Sequence, residues 1–146
     1  SQYILFFSQI PTIVADDVDD CPSVVNAAQI AQFNIKKVKD IGWRVESSAG
    51  VFFVSPMQTF CVVTMIANMS EFLPDLDSAN DVWTKFDVQY GRFYESDGDI
   101  YLEQVAILRH GSDKVLAETL RFFDATAYLI VKNTDNGMPS NSDDPV

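Results

Sequence analysis

The chain has 146 residues, 47% of them apolar, and carries 21 acidic against 10 basic side chains for a formal net charge of −11. That length suits one domain, large enough to fold on its own core without needing a metal or a disulfide. The negative charge argues against nucleic acid and anionic membrane surfaces as partners, and no apolar run reaches the roughly 18–20 residues that span a bilayer.

The predicted elements run as follows. Residues 1–20 hold the apolar run Tyr3-Ile4-Leu5-Phe6-Phe7 and, after Ser8, Gln9 and Pro11, Ile13-Val14-Ala15 before Asp16-Asp17. Two readings stay open for this segment: the end of a secretory signal, or an apolar extension packed on the domain. Residues 22 to about 39 form the one plausible helical stretch, with Val24, Val25, Ala28, Ala31, Ile35 and Val38 at mixed three- and four-residue spacing. Pro22 and Ser23 suit its start, although an irregular lead-in with one helical turn fits the same residues.

From Trp43 onwards the pattern reads as strands. Residues 43–47 and 51–55 flank the loop signal Ser48-Ala49-Gly50, residues 59–69 form a long β-rich run, and residues 71–81 are a polar loop. Residues 82–95 alternate in polarity, and Ser96-Asp97-Gly98-Asp99 is a hairpin turn using the Asp-Gly preference for positive φ. Residues 100–109, 114–123 and 126–132 are predicted as further strands, with His110-Gly111-Ser112-Asp113 as a turn and residues 136–146 as a flexible polar tail. The 11 Phe, 5 Tyr and 2 Trp suit such a pleated, half-buried surface. Many short strands with tight turns predict an all-β fold, an antiparallel up-and-down eight-stranded barrel over residues 21–135 with a short helical lead-in.

The order Cys21-Pro22, Phe33-Asn34-Ile35-Lys36, Gly42-Trp43, Cys61, and then Val115-Leu116-Ala117 leading to Asp124 and Ala127-Tyr128-Leu129-Ile130-Val131 resembles the lipocalin family. The nearest branch is that of bilin-binding proteins, insecticyanin and apolipoprotein D, and the likeness ends before that family's usual C-terminal part. In the family a Gly-x-Trp element opens the first strand and its tryptophan plugs the barrel. Trp43 takes that role by resemblance, with Gly42 directly adjacent to it. Family cysteines pair with later ones, which this chain lacks, so Cys21 and Cys61 either pair with each other, if their Cα atoms lie within about 7 Å, or stay free. What the resemblance implies is a secreted, extracellular carrier of a small hydrophobic molecule, such as a bilin or carotenoid pigment, a retinoid, a sterol or a fatty acid. As sole cofactor candidate it implies a bilin or similar chromophore.

Candidate catalytic groups are few. His110 is the one histidine and sits in a turn with Ser112, metal-ligand spacings are missing, and no glycine loop for phosphate exists among 6 Gly. The prediction is therefore a binding protein and not an enzyme, with no metal. Its expected ligand-binding residues are Val45, Phe53, Val63, Met65, Phe86, Val88, Tyr90, Leu102, Ala106, Leu116, Leu120, Ala127 and Leu129, inward-facing in the strand register. Cys21, Trp43 and Cys61 are expected to be structural. Asn68-Met69-Ser70 is an N-glycosylation acceptor if the chain is secreted. A homo-oligomer is left open. The alternative fold is an α+β cone of the nuclear-transport-factor-2-like type, an enzyme or dimerisation module, with residues 23–40 as one helix in the sheet's concavity.

Overall fold

The computed structural model describes residues 21–86 and 91–143. In chain order these give α1 (Val24–Ala31), β1 (Asn34–Val38), β2 (Gly42–Glu46), β3 (Val51–Met57), a 3₁₀ turn (Thr59–Cys61) and β4 (Val62–Asn68). Then follow α2 (Leu76–Phe86), β5 (Arg92–Ser96), β6 (Asp99–Ile107) and α3 (Asp113–Asp143). The strands form one open antiparallel sheet in the order β1-β2-β3-β4-β6-β5. The fold is α+β, so the eight-stranded barrel is overturned: β1 and β5 remain separate edges, and among the described residues nothing closes the sheet. The lumen and its plug go with it.

Three local misreadings explain the error. The helix predicted over 22–39 stops at Ala31, because Gln32 turns left-handed (φ 63°) and returns its N–H to Ala28 and Gln29. Ile35 and Val38, read as part of the helix, belong to β1, and the single helix over 23–40 required by the cone is equally absent. The strand predicted over 82–95 is divided between α2 and β5. Finally, the strands predicted over 114–123 and 126–132 are one helix, α3, which continues through Asp143. Its residues are rich in β-branched and aromatic side chains, which favours strand on composition. Yet the buried ones, Leu116, Ala117, Leu120, Phe123, Ile130 and Thr134, recur at helical spacing. Thr119, Thr126 and Thr134 each donate a hydroxyl hydrogen bond to the carbonyl four residues earlier, so their polar atoms are satisfied inside the helix.

α1 and α3 cover one face of the sheet. Ser23 caps α1 by accepting from the Asn26 N–H at 3.1 Å. Asp113, in the first turn of α3, accepts from the Ser23 N–H at 2.7 Å and the Asn26 side-chain amide at 3.1 Å, fixing the two helix starts together. Beneath them Val45, Phe52, Val54, Val63, Met65, Ala67, Ile100 and Leu102 are buried, one from every second position of β2, β3, β4 and β6. Phe52 is the hub, edge-on to Phe33 (6.1 Å between centroids) and tilted against Phe123 (5.1 Å).

Among the described residues no helix covers the opposite face. Arg44, Phe53, Ile66, Glu103 and Arg92 lie side by side across it in register. Met57 (53% exposed), Val105 (52%) and Ile107 (69%) stand open to solvent towards one end of the sheet. Two tight points hold the sheet ends. Gly42 has φ +131°, and a Cβ there would collide with the Val54 carbonyl oxygen. Asp97 (φ 52°) and Gly98 (φ 84°) make the β5–β6 turn that the Asp-Gly pair predicts. Cys21 and Cys61 form a disulfide with Cα atoms 5.2 Å apart, joining the entry to α1 to the start of β4.

Candidate ligand groove

At one end of the sheet the turn between β2 and β3 faces the middle of α3. Ser47 organises that turn: its N–H donates to the Gly50 carbonyl at 2.9 Å, and its oxygen accepts from the Ala49 N–H at 3.0 Å. The Ser47 hydroxyl then donates to Asp124 Oδ1 at 2.5 Å, pinning the turn to α3. The loop after β4 closes the other side. There Asn68 Oδ1 accepts from the Ser70 N–H (2.9 Å), Ser70 Oγ donates to Asp99 Oδ1 (3.1 Å), and the Ile100 N–H donates to Ser70 Oγ (2.8 Å).

Between these parts runs a groove of about 430 Å³. Its lining includes Val51, Phe53, Ala67, Met69 and Phe72 from the sheet and its loop, and Ala127, Tyr128 and Val131 from α3. Polar groups are Asn68, Glu71 and Asp124, with the Tyr128 phenol. This size and mixture, mostly apolar with a few placed polar groups, is that of small-molecule sites. A smaller cavity of about 200 Å³ lies beside the disulfide, among Cys21, Val24, Trp43 and Val63.

The expected ligand-binding residues scatter in this fold. Val45, Val63, Met65, Leu102, Leu116 and Leu120 come together, buried in the core between sheet and helices. Phe53 and Ala127 line the groove. Ala106 packs on the core edge and Leu129 faces solvent from α3. Val88, Tyr90 and the Phe86 side chain lie outside the described residues. Trp43 is half-buried in β2 with the Lys37 ammonium 4.8 Å from its ring. Asn68 is exposed at the end of β4, on the lip of the groove.

Comparison with protein-family models, curated proteins and solved structures finds no match. The site's chemistry therefore rests on its own residues.

His110 and Ser112 sit at the start of α3, in a turn where His110 has φ 62° and Ser112 Oγ accepts from the Val115 N–H at 3.1 Å. That is helix-capping geometry. Among the described residues, no group of three His, Cys, Asp or Glu side chains is placed to hold a metal ion, and no helix is long and apolar enough to cross a membrane. Sequence reasoning missed Glu71, Phe72, Asp124 and Tyr128. A signal for the last two was present in the helical spacing of residues 116–134, which sets Asp124, Ala127, Tyr128 and Val131 along one side of α3.

Proposed function

We propose that this protein is a non-catalytic, extracellular binding domain that carries a small molecule with an apolar body in the groove between α3 and the sheet end. The groove itself carries the reading: about 430 Å³, lined by Phe72, Tyr128 and aliphatic side chains, with polar groups at few points. A disulfide is compatible with an oxidising compartment outside the cell. The carrier role implied by the lipocalin resemblance is kept in this proposal, and its place moves from a barrel lumen to the groove.

The test is equilibrium binding of Nile red, a neutral apolar dye, followed by fluorescence. Saturable one-site binding is expected, and Ala127→Trp or Ala49→Trp, each placing an indole in the groove, abolishes it while circular dichroism stays unchanged. A wild-type protein that takes no dye, or variants that bind as well as wild type, would overturn the proposal.

A second reading is favoured by the helix-free face of the sheet. Met57, Val105 and Ile107 expose an apolar strip there, and such strips mark association surfaces. On this reading a second copy of the chain covers the strip. Sedimentation should then show a dimer that Ile107→Asp converts to monomer, and a wild-type monomer at high concentration removes the reading.

A further inference from the structure

The groove has a sign as well as a shape. Both ionisable carboxylates in its lining, Glu71 and Asp124, are acidic groups without a basic counterpart, since none of the lining residues is Lys, Arg or His. Among the described residues Glu71 has no side-chain hydrogen bond or ion pair, and Asp124 has one partner, the neutral Ser47 hydroxyl. Asp124 is half-buried, so a charge placed beside it is less screened than on an open surface. Net charge of −11 over the whole chain adds a field of the same sign.

The aromatic groups lean the same way. Ring faces are negative and attract cations. Tyr128 already receives an ammonium on its ring, that of Lys132 at 6.0 Å from the centroid, one turn further along α3. That one ammonium at the rim offsets one of the two carboxylates and leaves a net negative charge. A carboxylate-bearing guest would be repelled here, whereas a guest with an apolar body and an ammonium head satisfies both the walls and the charge.

We infer that the groove selects organic cations, aryl- or alkylammonium compounds, over neutral or anionic molecules of the same shape. This rests on the groove being a binding site. It sets aside fatty acids and bilins, whose carboxylates carry the wrong sign. The ammonium bonds to carboxylate oxygen as a charge-assisted donor, and the preference weakens with added salt.

Calorimetric titration with a matched series decides it: naphthylmethylammonium, naphthylmethanol and naphthoate. The cation is expected to bind about tenfold tighter than the alcohol, and naphthoate weakest. Glu71→Gln and Asp124→Asn should each lower the ratio of cation affinity to alcohol affinity. Glu71 is exposed, so its variant carries little folding risk, and the amide oxygen in D124N still accepts from Ser47. Equal affinity for cation, alcohol and carboxylate, or a preference that survives both substitutions, overturns the inference and leaves the groove as a binding site. If none of the three binds and Nile red is also excluded, the inference falls together with the proposed function.

Discussion

The two faces of the sheet are built from adjacent residues and live in different worlds. Phe52 and Phe53 are neighbours in β3, yet Phe52 is buried between Phe33 and Phe123 while Phe53 lies half-exposed between Arg44 and Ile66. The helix-covered face is mostly apolar, although Lys37, Gln104 and Glu95 share its register. The other face mixes aliphatic residues with ion pairs that its own strands supply, Arg44–Glu46 at 3.2 Å and Arg92–Glu103 at 2.7 Å. In an antiparallel sheet the side-chain period of two makes such a division possible without any change in backbone. Stability is therefore concentrated on one face and surface chemistry on the other.

The comparison is broken most directly by truncating each phenylalanine. Phe52→Ala is expected to remove about 3–5 kcal/mol by leaving a cavity at the hub of the core. Phe53→Ala should lose less than about 1.5 kcal/mol, because its ring is already partly in water. Urea unfolding of the two variants measures this, and equal losses would mean that the second face is covered in solution. An effect of similar size concerns what holds the helical layer to the sheet. The Cys21–Cys61 bond spans a sequence separation of 40 residues, and loop-closure entropy gives a loss of about 4 kcal/mol when both are changed to alanine. Denaturant midpoints check it, with hydrogen exchange expected to rise first in α1.

The sequence allowed much of the covered face to be read and little of the helical layer. Val45, Val63, Met65 and Leu102 were expected to point inward and do, since alternation survives any error about how the sheet closes. Phe53 was expected inward and is not. The run Val51–Met57 is apolar on both sides, so alternation could not choose between Phe52 and Phe53. α3 was misread because residue type and residue spacing disagreed there: valine, threonine and phenylalanine favour strand, while burial at every third or fourth position demands a helix. Tertiary packing against α1 decides that conflict, and it is not visible locally. The groove was illegible for the same reason. Glu71, Asp124 and Tyr128 meet only once residues 114–132 are helical, and as strands they would have alternated between faces.

The smallest expected effect tests whether the open face protects its own groups. Tyr94 and Tyr101 stack across β5 and β6 with centroids 5.4 Å apart, and the Arg92 guanidinium lies 4.8 Å from the Tyr94 ring. Desolvation, and then the Glu103 carboxylate, push the Tyr94 phenol above its usual value of 10.0, with Arg92 opposing. A raised value means the folded state favours the neutral phenol. Its contribution to stability is thus complete below the unfolded pKa and is lost as pH rises through the folded one. Because Tyr94 is only partly buried, that contribution is small and the titration is the better readout. Phenolate absorbance of the wild type, less that of a Tyr94→Phe variant, should show the Tyr94 phenol ionising above its usual value. Glu103→Gln should lower its midpoint by removing a like charge, and Arg92→Ala should raise it by removing the opposing cation. Opposite movements would show that these strands build a local environment on a face no helix covers. Unmoved midpoints in both variants would make that face ordinary solvated surface, with its ion pair contributing as little as exposed pairs commonly do.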